Sequence, residues 1–361
     1  RSPTRRRARI PFRGEARGAA RLAMSGPGTP GKGGAPDLTV RAATPVDRPA
    51  VIELCRASLG WKAGDPNEAF FAWKHDDNPF GASPAWVAVA PDGALVGLRV
   101  FLRWRFRAPG GEVIEAVRAV DTATHPDWQG RGIFTRLTLG ALPEIGEGGV
   151  GVVFNTPNDQ SRPGYLKMGW QPVGRVPVAV RLRSPLSARR LAGARAAAEK
   201  WSRPTDAGLD AATAFADDAA TRRLLDAVPE PAGIHTDRRP AYLAWRYRFG
   251  PLAYRVMPLA GDGTIDGGVI VFRVRRRGSA TELTVCEVLA PAGAPVRRAM
   301  GRLLRATGAD YAIRAGRWET AGAGFLPAPR LGPILVWRVV TREGVPALGD
   351  LSLSLGDVEL F

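Results

Sequence analysis

The sequence predicts an α/β fold built twice over. Three observations carry this. Strand-like and helix-like patterns alternate from residue 38 to 183. Two short segments recur at a shift of 171 or 172 residues. The 361 residues are 45% apolar, with 10 Trp and 13 Phe, enough for a sizeable core in each half.

The elements follow in order. Leu38–Ala42 reads as a strand, and Val46–Leu59 has helical spacing after the start signal Thr44-Pro45. Trp86–Ala90 and Ala94–Phe106 read as strands around the turn Pro91-Asp-Gly93, and Val113–Thr124 as another. Ile133–Leu142 is a predicted helix that Pro143 ends or kinks. Val150–Phe154 is a short buried strand, Ser161–Met168 a short helix, and Trp170–Leu182 a further strand. Residues 38–183 thus form one domain and 184–204 an Ala/Arg-rich helical linker. Residues 205–361 form a second domain ending in a C-terminal tail.

The second domain repeats parts of the first. Phe70-Phe-Ala-Trp-Lys-His75 resembles Tyr242-Leu-Ala-Trp-Arg-Tyr247, and Gly97-Leu-Arg-Val-Phe101 resembles Gly268-Val-Ile-Val-Phe272. We read this as a diverged internal duplication at domain scale.

Residues 1–37 are expected to be disordered, Arg-rich at first and then Gly/Pro-rich from Ser25 to Gly34. Met24 is the expected natural start. Of the net charge of +17, eight Arg and one Glu place +7 in residues 1–23. The remaining basic residues are scattered, so nucleic acid is not an expected partner. No apolar run is long enough to span a membrane. Cys55 and Cys286 fit no disulfide framework or metal spacing, so no metal is expected and the cytoplasm is the expected compartment.

The chemistry concentrates in two motifs. Thr124-His-Pro-Asp-Trp-Gln-Gly-Arg-Gly-Ile-Phe134 joins a strand to a helix. Gly130 and Gly132 let backbone N–H groups approach a pyrophosphate, the helix adds its positive end, and Gln129 and Arg131 offer side-chain donors. No Gly-Lys-Ser/Thr follows, which excludes a P-loop. The second motif is Asn158-Asp-Gln-Ser161-Arg-Pro-Gly-Tyr165-Leu-Lys-Met-Gly-Trp170. Its Ser161 and Tyr165 are four apart and share a helix face.

Together these motifs resemble the GNAT superfamily of N-acetyltransferases over about residues 38–183. The resemblance implies a mixed, mostly antiparallel sheet flanked by helices, followed here by a degenerate second GNAT-like domain. It implies acetyl-CoA or another acyl-CoA as co-substrate and an amine as acceptor, which attacks the thioester directly. By the same resemblance, the strand end at Thr122 and Thr124 pairs with the pantetheine arm. Gln129, Gly130, Arg131, Gly132 and Ile133 hold the pyrophosphate. Asn158 and Ser161 lie beside the pantetheine and thiol, and Tyr165 protonates the leaving thiolate.

The general base is open. Arg118 stands where many family members carry an acid. Asp121 is the first candidate, its alternative being a hydrogen-bonded structural acid, with Glu115, His125, water and the terminal carboxylate after it. Asp76 and Asp77 are placed to attract an acceptor ammonium, or to lie in a loop at a capped helix end. Tandem acetyltransferases of the enhanced-intracellular-survival type are partly similar. Ala290-Pro-Ala-Gly-Ala-Pro295 replaces the pyrophosphate loop in the second domain, so that domain is expected not to bind acyl-CoA in the same way. The competing readings are a non-catalytic acyl-CoA-binding module and a basic nucleic-acid-associated protein. A homo-oligomer is left open.

Overall fold

A computed structural model describes residues 37–359 except 195 and 317. The basic, Gly/Pro-rich segment 1–36 and the last two residues lie outside the described residues.

Strand β1 (Thr39–Ala42) leads into α1 (Arg48–Leu59). The entry is fixed by Asp47, whose carboxylate accepts from the Thr44 backbone and hydroxyl and pairs with Arg41 at 2.7 Å. One face of α1 buries Val51, Ile52, Leu54 and Cys55. Helix α2 (Asn67–Phe71) runs on into a π-helical turn at Ala72–Asp76. Strands β2 (Ala85–Val89), β3 (Leu95–Arg107) and β4 (Val113–Thr124) follow as an antiparallel meander. Next come α3 (Ile133–Glu147), β5 (Val152–Asn155), α4 (Arg162–Lys167) and β6 (Gln171–Arg175).

Helix α3 continues five residues past the predicted end. Pro143 lies inside it and is exposed, so the carbonyl that loses its N–H partner lies on the outer side, within reach of water.

The single strand expected over Trp170–Leu182 is two strands. After β6 the chain passes Pro177 and forms β7 (Val178–Leu182), which leaves the first sheet for a second one. Among its described residues the linker is helical only at α5 (Ser187–Gly193). Beyond it the chain is tied to the second sheet, with Glu199 N donating to Arg276 O and Arg203 N to Val274 O. Tertiary pairing here overrides the helix propensity of the Ala-rich run.

The second half contains β8 (Leu209–Asp210), α6 (Ala211–Ala214), α7 (Asp218–Ala227), β9 (His235–Thr236) and α8 (Pro240–Tyr247). It continues with β10 (Arg255–Pro258), β11 (Val269–Arg277), β12 (Ala280–Leu289) and α9 (Val296–Ala306). It ends with β13 (Tyr311–Ala315), β14 (Leu326–Pro327), β15 (Ile334–Val339) and α10 (Leu355–Val358).

Among the described residues the two sheets have one plan. The first runs β1-β2-β3-β4-β5-β15-β6, with β9 added to β3. The second runs β8-β10-β11-β12-β13-β7-β14. Both are antiparallel except at one central pair, β4 with β5 and β12 with β13. The halves exchange their last strands: β7 sits between β13 and β14, and β15 between β5 and β6.

This plan positions the site. Strands β4 and β5 pair only over Ala116–Arg118 and Val152–Phe154, then part. A bulge between Leu98 and Val100 lets two residues of β4, Asp121 and Thr122, stand opposite Arg99 alone. On one face α3 packs closely on β3, because a Cβ at Gly97 would lie 2.5 Å from Ile133 Cγ2. On the other face the core runs through to the second half, as in the edge-to-face contact of Trp104 with Tyr242. Among the described residues no helix is long and apolar enough to cross a membrane.

Candidate active site

The loop after β4 leaves backbone N–H groups open to solvent. A 3-10 turn at Pro126–Trp128 delivers Gln129, Gly130 and Arg131 to the surface, all exposed. Gly130 and Gly132 have φ of +74° and +73°, a conformation that L side chains rarely adopt. A Cβ at either position would meet nothing within 4 Å, so the space before both is open. Gly132 is the N-cap of α3 and supplies no side-chain cap, which leaves the first N–H groups of a 15-residue helix free to bind an anion. Ile133 is buried and anchors that turn to β3. The Arg131 guanidinium stacks on Trp128 at 4.6 Å and donates to Asp127 O at 3.2 Å.

The second motif lies at α4. Tyr165 is buried edge-on against Phe134 and Trp170, at 5.3 and 5.2 Å between ring centres. Its phenol oxygen accepts from Arg99 Nη1 at 2.8 Å. The same nitrogen donates to Thr122 Oγ1, so Arg99 joins the bulge of β4 to α4. Ser161 is engaged within its own motif. Its N–H and Oγ both donate to Asn158 Oδ1 at 2.9 Å, an arrangement that starts α4. The Thr124 carbonyl accepts from Ser58 Oγ at 3.0 Å.

Asp121 sits beside Thr122 but turns to the helices on the other face. Its φ is +43°. One carboxylate oxygen accepts from Lys74 Nζ at 2.8 Å and meets His75 Nε2 at 2.7 Å. His75 Nδ1 in turn meets Ser83 Oγ at 3.0 Å. Burial works against ionisation of Asp121, but the Lys74 ammonium and the His75 hydrogen bond outweigh it and hold the carboxyl below the usual range. Burial also pushes the His75 imidazole down, with Asp121 opposing, so the pair is a neutral imidazole donating to a carboxylate.

The other acids considered for the base or the acceptor site are also spoken for. Glu115 pairs with Arg105 at 2.7 Å, Asp76 with Arg48 at 2.9 Å, and Asp77 with Arg248 at 2.6 Å. His125 is half-exposed and stands near Asp127. Arg118 holds the C-terminal segment. It donates to the carbonyls of Asp357, Val358 and Glu359 at 3.0, 2.7 and 3.1 Å, and burial lowers its guanidinium to about 10. Among the described residues no cluster of His, Cys, Asp and Glu has the makings of a metal site.

The structure therefore brings Thr122 and Tyr165 together through Arg99, sets Gln129–Ile133 at the start of α3, and ties Asn158 to Ser161. It turns Asp121 away to Lys74 and His75. Sequence reasoning passed over Arg99, Lys74 and His75 as site residues. Their signal was a charge inside an otherwise apolar run, Gly97-Leu-Arg-Val-Phe101 and Phe70-Phe-Ala-Trp-Lys-His75.

Comparison with known proteins agrees with this fold. Residues 39–173 match the family model of the acetyltransferase (GNAT) domain. Those residues are thus similar to a GNAT acetyltransferase domain. Three solved structures share the wider architecture, and each covers 84% of this chain and 73% of its own. A probable N-acyltransferase from Enterococcus faecalis is 9% identical with a TM-score of 0.59. A GCN5-related N-acetyltransferase from Anabaena variabilis is 14% identical at 0.58, and Eis1 from Mycobacterium abscessus 18% identical at 0.51. At these identities the likeness is one of fold. No curated protein matches the chain.

Proposed function

We propose that residues 38–183 bind an acyl-CoA, acetyl-CoA in the first instance, and pass the acyl group to an amine. The observation that carries this is the open, uncapped start of α3 behind Gly130 and Gly132, a place for the coenzyme A pyrophosphate. Gln129 and Arg131 flank it. The pantetheine arm would follow the parting strands past Thr124 and Thr122, with Asn158 and Ser161 on its far side.

The amine attacks the thioester carbon, the C–S bond breaks, and the sulfur takes a proton from Tyr165. The amine nitrogen gives up its own proton. Asp121 is the acid on the reaction strand, but with its charge spent on Lys74 and His75 it is a poor base. We assign it the holding of the bulge and the proton to water. That commitment is also what favours the second reading, an acyl-CoA-binding domain without turnover.

Residues 205–361 are proposed as a degenerate partner domain. They repeat the strand order, yet Pro295 precedes α9 and only Gly293 remains of the glycines, so free donors are fewer. The protein is proposed to act in the cytoplasm.

Calorimetric titration of acetyl-CoA into the protein and into a Gly130→Asp, Gly132→Asp variant tests the reading. We expect micromolar binding lost in the variant, then release of free thiol with an amine panel, reduced by roughly 10²–10⁴ in Tyr165→Phe. A folded protein that binds no acyl-CoA overturns the proposal. Binding without thiol release leaves the second reading.

A further inference from the structure

Arg99 is fully buried, yet among the described residues no carboxylate pairs with it. A buried guanidinium without a counter-ion is costly unless its charge is used. Its Nε and Nη2 have no hydrogen-bond partner, and its plane lies among three rings: Phe101 at 4.7 Å, Tyr165 at 5.3 Å and Phe134 at 5.7 Å. The polar atoms it does engage are Tyr165 Oη and Thr122 Oγ1.

The direction of the Tyr165 bond matters. A guanidinium only donates, so Tyr165 accepts and its own proton is not consumed. Among the described residues no acceptor takes that O–H. The phenol is thus gripped from behind by a full positive charge while its hydrogen stays available.

We propose that Arg99 is the positioning residue that makes Tyr165 a proton donor, by stabilising the phenolate left when the proton goes. The inference rests on the acyl-transfer reading for its purpose. In the step, the Tyr165 O–H breaks, an S–H forms on departing coenzyme A, and the negative charge moves from sulfur to the phenol oxygen, 2.8 Å from Arg99 Nη1. Water then returns a proton to Tyr165. Low polarity around the pair strengthens the effect, since water is not there to screen it. Thr122, on the same nitrogen, keeps the guanidinium at the bulge where the thioester would lie.

The test follows phenolate formation in the ultraviolet as pH rises, taking the difference between the protein and its Tyr165→Phe variant to isolate one phenol. It needs no acceptor and no turnover, so its failure is separable from failure of the acyl-transfer reading. In Arg99→Leu the Tyr165 phenolate is expected only at a proton concentration lower by about tenfold or more. Arg99→Gln, which keeps a donor without charge, should behave like Arg99→Leu, and Arg99→Lys should recover part of the difference. With acetyl-CoA and an active amine, kcat should fall with Arg99→Leu while KM for acetyl-CoA holds. Should Arg99→Leu not fold, the Gln and Lys variants carry the comparison. Coincident titrations in the protein and its neutral Arg99 variants overturn the inference.

Discussion

The indole N–H of Trp73 donates to the backbone carbonyl of Trp245 at 2.7 Å, and the indole N–H of Trp245 returns the bond to Trp73 at 2.6 Å. The rings stack at 5.9 Å. The residues are 172 apart, the shift of the internal repeat, so the halves meet across a local two-fold relation. Each Trp→Phe change removes one buried N–H···O=C bond between the halves and should cost about 0.5–1.5 kcal/mol. Chemical denaturation of the single variants checks this. A single transition is expected, since strands of both halves lie in each sheet; two separate transitions would contradict it.

Acid should destabilise the fold in two stages. His75 is buried and neutral, with its imidazole pushed down, so the unfolded chain gains a proton that the folded one resists. Its share of stability is full above about 6.5 and is lost as pH falls below. Asp121 is held below the usual carboxylate range. Its contribution is full above about 4 and is lost as pH falls further. Urea midpoints across the acid range, with His75→Gln alongside, would show the first stage removed in the variant.

Removing Asp121 should be a stability lesion. Asp121→Asn breaks the buried contacts that Lys74 and His75 share with one carboxylate oxygen, which costs about 3–5 kcal/mol. Acetyl-CoA affinity in the folded fraction should change little. A variant of wild-type stability with no turnover would instead return Asp121 to the role of base.

Lys200 places its amine 3.8 Å from the ring centre of Phe70 and 4.6 Å from those of Trp61 and Trp201. Burial lowers it to about 8, and among the described residues no acceptor bonds it. The unfolded chain holds that proton more tightly, so between about pH 8 and 10.4 this group favours folding more as pH rises. The difference in stability between the protein and Lys200→Met should change over that range with this sign, as read by urea midpoints.

Arg118→Met should free the C-terminal segment. The carbonyls of Asp357, Val358 and Glu359 would lose their shared donor. Hydrogen exchange at residues 355–359 should accelerate by at least about tenfold, corresponding to the loss of a 1.4 kcal/mol local tie. Unchanged exchange would mean that the Glu359 contacts with Arg273 and Arg275, at 3.2 and 3.4 Å, suffice.

Much of the first sheet was legible because its information is local. Val113–Thr124 reads from sequence with the bounds it has in the fold, and the Gly130–Gly132 loop falls where strand and helix signals meet. The place of Val178–Leu182 was not legible. Its apolar alternation marks a strand but not which sheet it joins, and its partner Tyr311–Ala315 is more than a hundred residues away. Asp121 was found as a residue but its partners were not, because Lys74 and His75 reach it from 47 and 46 positions earlier. Arg99 hid inside a strand whose neighbours are apolar, where a lone charge reads as an exception instead of a site.

The traded strands bear on synthesis as well as on stability. The gap between Asn155 and Gln171 in the first sheet is filled by Ile334–Val339, which leaves the ribosome late. At about 5–20 residues per second, the 184 residues from Asn155 to Val339 take roughly 10–40 s to make. Through that interval a nascent chain carries an unfinished sheet with two open edges, the kind that pairs with strangers. A lower growth temperature or a chaperone that guards strand edges should therefore raise the yield of this protein, and neither half cut out by itself has the strand that completes it.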